Sequence, residues 1–391
     1  MAKCALINIG TILTGDIHQN KKEVDTLIVV NGKIEYLGKH SDCDLTNLDE
    51  VWDLDGMTVI PGLIDAHAHP AVGDWTPRHN IIGWLASTLN GGVTTLVSVG
   101  EARVEGLPDD PAGVKALAIL AAKTYRKLRP GGMKVQAGAV WLTEGLSESD
   151  FQEMAANGVW AVAEVGNAEI PPTEEILRLV DAARRNGMKI PLHSGGRRKP
   201  GMSAMGLDFI EMIKPDVVCH LNGGPTPLPW TDIHDIVVET NYYIEVCYSG
   251  NPRVACDIVN LAVKHGQLDR LIIGSDVPTS IGIVPIAIPK TMSLIASLTD
   301  VSAEQVVAMA TGNTARAYGL CCGILEPGRD ADLLVLDVPV SSWGKAPADA
   351  IQMGENISIA AIFVDGKPVS RAPRNTQPAT RQIRRVEKGK L

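Results

Sequence analysis

The stretch Val59-Ile60-Pro61-Gly62-Leu63-Ile64-Asp65-Ala66-His67-Ala68-His69 carries an apolar run into two histidines one residue apart. An apolar run of this length reads as a buried strand of the kind found in parallel sheets. On a strand, residues two apart project to the same side, so His67 and His69 can present both imidazoles to one point. That geometry suits a metal ion, but a His-x-His pair in isolation is about as often a surface accident. Its meaning depends on what surrounds it.

Outward from this run, apolar β-rich segments alternate with helix-like ones from Val59 to Leu320. Eight strands can be counted: Val59–Ala66, Thr94–Val99, Lys134–Trp141, Val159–Val165, Lys189–Leu192, Asp216–Cys219, Tyr242–Val246 and Leu271–Gly274. Helical patterns lie between them, such as Pro111–Leu128, Pro172–Asn186 and Pro252–His265, each opening on a proline as helix starts often do. Alternation points to a parallel sheet, and a count of eight favours a closed (β/α)8 barrel over an open doubly wound sheet. Such a barrel takes about 250 residues, so a chain of 391 leaves room for one smaller domain. Its strands are visible at both ends. Thr26–Val30 and Lys33–Leu37 flank Asn31-Gly32, and Ala361–Val364 and Lys367–Val369 flank Asp365-Gly366, both of them short hairpin signals. The segment GRDADLLVLD at 328–337 fits the same sheet. The expected division is residues 1–58 and 321–370 for one small β-domain, 59–320 for the barrel, and 371–391 for a basic tail.

Metal-ligand residue types recur where barrel active sites are built, at the C-terminal ends of the strands. Glu164 ends Trp160-Ala161-Val162-Ala163, His193 follows Ile190-Pro191-Leu192, His220 follows Val217-Val218-Cys219, and Asp276 follows Ile272-Ile273-Gly274-Ser275. Each has a bland explanation alone, since a strand-end histidine is usually scaffolding and a strand-end aspartate often caps a helix. Four histidines and two carboxylates on one rim are harder to explain blandly. They make a ligand set for two divalent ions, of types that suit zinc or iron. The other histidines, His18, His40, His79, His234 and His265, fall in turns or on helices and read as surface residues. Glu245, inside the strand Tyr242–Val246, needs a partner or water, and reads as structural support for the site rather than as catalytic.

The combination of PGLIDAHAHP at 61–70, His193, His220, Ser275-Asp276, Thr311-Gly312-Asn313-Thr314-Ala315-Arg316-Ala317 and GRDADLLVLD resembles the amidohydrolase superfamily of metal-dependent hydrolases over nearly the whole chain. The resemblance implies a (β/α)8 TIM-type barrel with a small β-sandwich domain formed from both termini. It implies that His67, His69 and Asp276 hold the more buried ion, that His193 and His220 hold the more exposed one, and that Glu164 bridges. Many binuclear members bridge with a carboxylated lysine on the fourth strand, where this chain has Glu164, so the spacing and number of tightly held ions depart from the commonest pattern. Two divalent ions are expected, zinc first, with iron as the alternative in the second site. The implied reaction is hydrolysis of a cyclic amide by water activated on the metal, with Asp276 as proton shuttle. The expected substrate is an anionic ring whose amide nitrogen is conjugated to a C=C bond. Arg197 and Arg198, which follow His193-Ser194-Gly195-Gly196, are the candidates to hold its carboxylate, with a solvated basic turn as their ordinary reading.

Competing classes are an aminopurine deaminase or N-deacetylase of the same superfamily, and a non-enzymatic barrel. The last predicts missing ligands, and all six positions are filled. A dinucleotide enzyme is disfavoured because no G-x-G-x-x-G follows the first strand. Net charge is −9 and aromatic residues are 4%, which argues against a nucleic-acid or anionic-membrane partner. The basic tail, with seven Lys/Arg after Ser370 against Glu387, is expected to be loose or to pack on a neighbouring subunit. Seven scattered cysteines without C-x-x-C spacing read as reduced thiols in a cytoplasm. No segment approaches the roughly 20 apolar residues of a membrane span. Members of the superfamily are commonly oligomeric, so a homo-oligomer is expected, a tetramer being one form it can take.

Overall fold

The computed structural model describes residues 3–72, 80–101, 107–167, 173–196, 204–224, 226–278 and 280–387. Parallel pairing runs from Leu63–Ala68 to Val93–Ser98 and on to Lys134–Gln136. Ala139–Val140, on the same stretch of chain, pairs with Ala161–Val162. Bridges Ala161 to Lys189 and Val165 to Leu192 reach Pro191–His193, and the pairing continues through Val217–Cys219, Tyr243–Cys247 and Leu271–Gly274. A last parallel bridge, Ala68 to Val277, returns to the first strand. Helices fill the crossovers. Pro111–Tyr125 starts with Pro at its first turn behind an Asp110 cap, Glu148–Ala156 opens on a Ser147–Asp150 capping box, and Pro252–Lys264 is capped by Asn251. These side chains satisfy backbone N–H groups that a helix start leaves without partners.

An apolar cluster draws on Ile64, Ala66, Val97, Val217, Cys219 and Ile272 from four of the parallel strands, and Ala315 and Tyr318 of the helix Gly312–Tyr318 join it. These apolar side chains pack into one cluster between the strands and that helix. The first strand's ladder with its neighbour shifts register between Asp65 and Ala68. That irregularity falls where the chain passes from the apolar cluster to His67.

Expectations for the first strand, the terminal hairpins and the tail need correction. The run Val59–Ala66 is not one strand. Thr58–Pro61 belongs to a six-stranded sheet with Leu333–Asp337, and Leu63–Ala68 belongs to the parallel set. The switch occurs at Gly62, where a Cβ would lie 2.1 Å from Thr94 Oγ1. The two terminal hairpins do not share a sheet either: Thr26–Val30 and Lys33–Gly38 lie in a five-stranded sheet, and Ser358–Val364 and Lys367–Ser370 in the six-stranded one. Leu6, Leu27, Val29 and Ile34 from the first sheet share one apolar core with Val59, Leu333, Val335 and Phe363 from the second. The tail is not loose up to Glu387. Arg384–Arg385 pairs antiparallel with Asp53 and Trp52, Arg381 Nη2 meets Asp337 at 2.6 Å, and Asn375 donates to the Ser87 carbonyl at 2.6 Å. Among the described residues no helix is long and apolar enough to cross a membrane.

Lys134, at the start of the third parallel strand, joins that strand to the flanking sheets. Its ammonium lies 3.1 Å from Asp330, 2.8 Å from Asp332 and 2.7 Å from Asp365. The Asp332 side chain is fully buried, and burial lifts its pKa even with Lys134 alongside. Lys134→Met should cost about 3–5 kcal/mol, because it leaves a buried carboxylate uncompensated. The deficit should shrink as pH falls and the carboxylates take up protons. Chemical denaturation of both proteins at neutral and mildly acidic pH checks this, and an equal midpoint at neutral pH would refute it.

Candidate metal centre

The six sequence candidates meet at one end of the parallel strands. His67 lies near the end of Leu63–Ala68, with His69 just beyond it, and His193 ends Pro191–His193. Glu164 follows Ala161–Val162, His220 follows Val217–Cys219, and Asp276 comes two residues after Leu271–Gly274. All six are buried. His220 and Asp276 have φ of 36° and 58°, in the left-handed region that costs an L-residue energy and that clusters at functional sites.

The six form two overlapping groups. His67 Nε2 lies 3.2 Å from His69 Nε2, 3.6 Å from Asp276 Oδ1 and 3.7 Å from Glu164 Oε2, and His69 Nε2 lies 3.3 Å from Asp276 Oδ1. On the other side, Glu164 Oε1 meets His193 Nδ1 at 3.1 Å and also contacts His220 Nε2. Glu164 thus faces both groups, one oxygen to each. Sets of three or more such donor atoms lie within 4.8 Å of one another.

Hydrogen bonds behind the rings fix which nitrogens face inward. His67 Nδ1 pairs with Glu245 Oε2 at 3.0 Å, and His69 Nδ1–H donates to the Gly100 carbonyl at 2.9 Å. With both Nδ1 atoms acting as donors, two Nε2 lone pairs confront each other at 3.2 Å. A cation removes that conflict. Four imidazoles and two carboxylates, with a carboxylate and a carbonyl orienting two of the rings from behind, fit divalent zinc or iron. The residues therefore match what a binuclear centre requires.

Electrostatics agree. Burial opposes a charge on Glu164, but His220, His193 and His67 outweigh it and hold the carboxyl well below its usual range. Asp276 behaves likewise: burial opposes its charge, and His69, His67 and His220 depress its pKa. Burial lowers the His67 pKa, and Glu245 and Glu164 raise it by more, so this pocket favours positive charge.

Several contributors were missed or only half seen in the sequence. Glu245, read as a structural carboxylate in need of a partner, finds it in His67. Gly274 makes the room, since a Cβ there would lie 2.5 Å from Glu245 Oε1 and 2.7 Å from His67 Cβ. Asn167 donates to Glu164 Oε2 at 2.6 Å, and the Ser249 hydroxyl lies 3.4 Å from Asp276 Oδ2. Their only sequence signal is a position a few residues beyond a strand end. Arg197 and Arg198 lie outside the described residues.

Comparison with known proteins adds an independent line. The model of the amidohydrolase family matches residues 58–369. The chain is 40% identical over 381 residues to the enamidase of Eubacterium barkeri, covering 97% of this chain and 99% of that one. A solved enamidase structure, described as a new member of the amidohydrolase superfamily, superposes with a TM-score of 0.95 at 40% identity over 98% of this chain and all of the other. A 5'-deoxyadenosine deaminase of Methanosarcina acetivorans is 22% identical, over 93% of this chain and 91% of its own.

Proposed function

The chain belongs to the amidohydrolase family, and on that premise we propose that it is a metal-dependent hydrolase that opens a cyclic enamide. The substrate we propose is 6-oxo-1,4,5,6-tetrahydronicotinate, as an intermediate of nicotinate degradation. The observation that carries this reading is the 40% identity to an enamidase over almost the full length of both chains. The deaminase relative is far more distant at 22%. We also infer the finer form of the amidohydrolase fold, a closed (β/α)8 barrel beside a β-sandwich built from both termini.

His67, His69 and Asp276 would hold one divalent ion, His193 and His220 the other, and Glu164 would bridge, with zinc first and iron as the alternative in the second position. Such ions supply Lewis acidity, bringing the pKa of water from about 15.7 towards about 7 and polarising the carbonyl under attack. Asp276 takes the proton of the attacking water and delivers it to the ring nitrogen as the C–N bond breaks. Glu245 and the Gly100 carbonyl keep the His67 and His69 rings from turning. The first water opens the ring and leaves an enamine. Tautomerisation to the imine and addition of a second water release ammonia and give 2-formylglutarate.

The purified, metal-loaded protein should therefore release one ammonia per 6-oxo-1,4,5,6-tetrahydronicotinate consumed and leave aminopurines untouched. Ammonia from an aminopurine and none from the lactam would replace this reading with the deaminase one. The substrate carboxylate calls for a cation, and we assign that role to Arg197 and Arg198 from their place directly after His193-Ser194-Gly195-Gly196. A charge-assisted hydrogen bond of about 1.5–3 kcal/mol converts to a rise in KM of about 10–100-fold on Arg→Met at the contacting position, with kcat unchanged. Unaltered KM in both variants would refute the clamp.

A further inference from the structure

Asp65 and Ser275 stand beside His67 and Asp276 in the chain, yet neither has a part in the reaction above. Both are buried. The Asp65 carboxylate occupies the seam between the last parallel strand and the first. Its Oδ1 accepts the backbone N–H of Ser275 at 3.0 Å and that of His67 at 3.2 Å, and its Oδ2 accepts the Ser275 hydroxyl at 2.5 Å. Across the same seam, Asp276 N–H donates to the His67 carbonyl at 2.9 Å and His69 N–H to the Val277 carbonyl at 3.0 Å. Backbone pairing here amounts to the isolated bridge between Ala68 and Val277. One side chain thus ties a residue next to Asp276 to the strand that carries His67 and His69.

We propose that Asp65 is a positioning residue that locks the Ser275-Asp276 backbone onto the His67-Ala68-His69 strand and so fixes the Asp276 carboxylate against the two imidazoles. The backbone at Asp276 explains why a lock is needed. Its φ of 58° lies in the left-handed region, which is unfavourable for most L-residues, and such a conformation persists only where the surroundings over-determine it. Asp65 holds the turn from the Ser275 side, and Ser280 holds it from the other, its hydroxyl donating to the Asp276 carbonyl at 2.6 Å. Released from Asp65, the turn can relax toward a right-handed backbone and swing the Asp276 carboxylate away from His69. A carboxylate is the right group because three donors converge on its two oxygens. An asparagine would set its own N–H groups against some of them.

The inference rests on reading His67, His69 and Asp276 as metal ligands, so its test must report on the metal apart from turnover. Cobalt(II) titration followed by visible absorbance does so in the wild type, Asp65→Asn, Ser275→Ala and a control, Asn313→Ser. The Asn313 side chain donates to the Leu268 and Leu271 carbonyls, at the opposite end of the same strand. Asp65→Asn should weaken cobalt binding by about 10–100-fold, change the absorption bands, and lower kcat without raising KM. Ser275→Ala should shift the same readouts in the same direction by less, and it carries the test alone if Asp65→Asn does not fold. Asn313→Ser should lower Tm and leave the cobalt spectrum intact. Wild-type affinity and bands in both seam variants would overturn the inference, as would the same spectral change in Asn313→Ser. Failure of the wild type to bind cobalt would instead bring down the metal reading itself, and the inference with it.

Discussion

Asp276→Asn should lower kcat by about 10²–10⁴-fold, the typical worth of general acid–base assistance, while fold and KM stay close to wild type. The substitution is nearly isosteric, and asparagine is among the few side chains that tolerate the left-handed backbone found at Asp276. The surrounding ties, from Asp276 N–H to the His67 carbonyl and from the Ser280 hydroxyl to the Asp276 carbonyl, involve main-chain atoms that the change leaves in place. What disappears is basicity. The carboxylate is held well below its usual pKa by His69, His67 and His220 against the cost of burial, so it stands ionised and ready to accept a proton at neutral pH. An amide cannot take that proton or pass it to the ring nitrogen. Because Asp276 also faces His67 and His69 at 3.6 and 3.3 Å, some loss of metal is expected. Activity measured at saturating zinc, with metal content determined alongside, separates the two effects. A variant with full metal and near-normal kcat would remove Asp276 from the proton path.

The polar rim was legible because its residues break apolar runs at one recurring place. His193 and His220 stand where an otherwise apolar strand ends, and the two-residue spacing of His67 and His69 carries their shared direction. The family resemblance read from those residues agrees with the family model over residues 58–369. Contacts across strands were not legible. The Glu245–His67 pair depends on the register of strands far apart in sequence and on the missing Cβ of Gly274. The third strand, read as continuous from Lys134 to Trp141, is interrupted, and the buried Glu101 carboxylate takes the N–H groups of Gly138 at 2.6 Å and Ala139 at 3.1 Å in place of a ladder partner. Burial lifts the Glu101 pKa to about 7 even so. Likewise, nothing in the tail's composition says that Arg384 and Arg385 will find Asp53 and Trp52, residues more than 300 positions away. Periodicity reports which face a residue takes, and partner identity is decided by the assembled fold.

Glu164→Gln tests the departure from the superfamily's usual bridge and should leave the enzyme with one ion in place of two. Many members use a carboxylated lysine on the fourth strand; Glu164, with a shorter side chain, brings each of its oxygens to a different histidine group. Its charge would suit it to bridge two cations, since His220, His193 and His67 hold its pKa well below the usual range despite complete burial. Glutamine preserves the length but offers one carbonyl oxygen and an NH2 that cannot ligate, and it sets that NH2 against either an imidazole nitrogen or the Asn167 donor. The group built on His67, His69 and Asp276 keeps three donors of its own and should stay loaded. The pair His193 and His220 is left with two neutral imidazoles and should empty first. Polarisation of the carbonyl by a metal is worth several kcal/mol, which at about 1.36 kcal/mol per decade amounts to a fall in kcat of about 10³-fold or more. Elemental analysis should give close to two equivalents of metal in the wild type and one in the variant, and chelation should abolish wild-type activity until metal is restored. Two tightly held equivalents in Glu164→Gln would show that the two sites do not depend on a shared carboxylate. Glu164→Asp adds a finer test of reach: the charge is retained while the stem shortens by one more methylene, so a loss of the second ion there too would assign the bridge to distance as well as to charge.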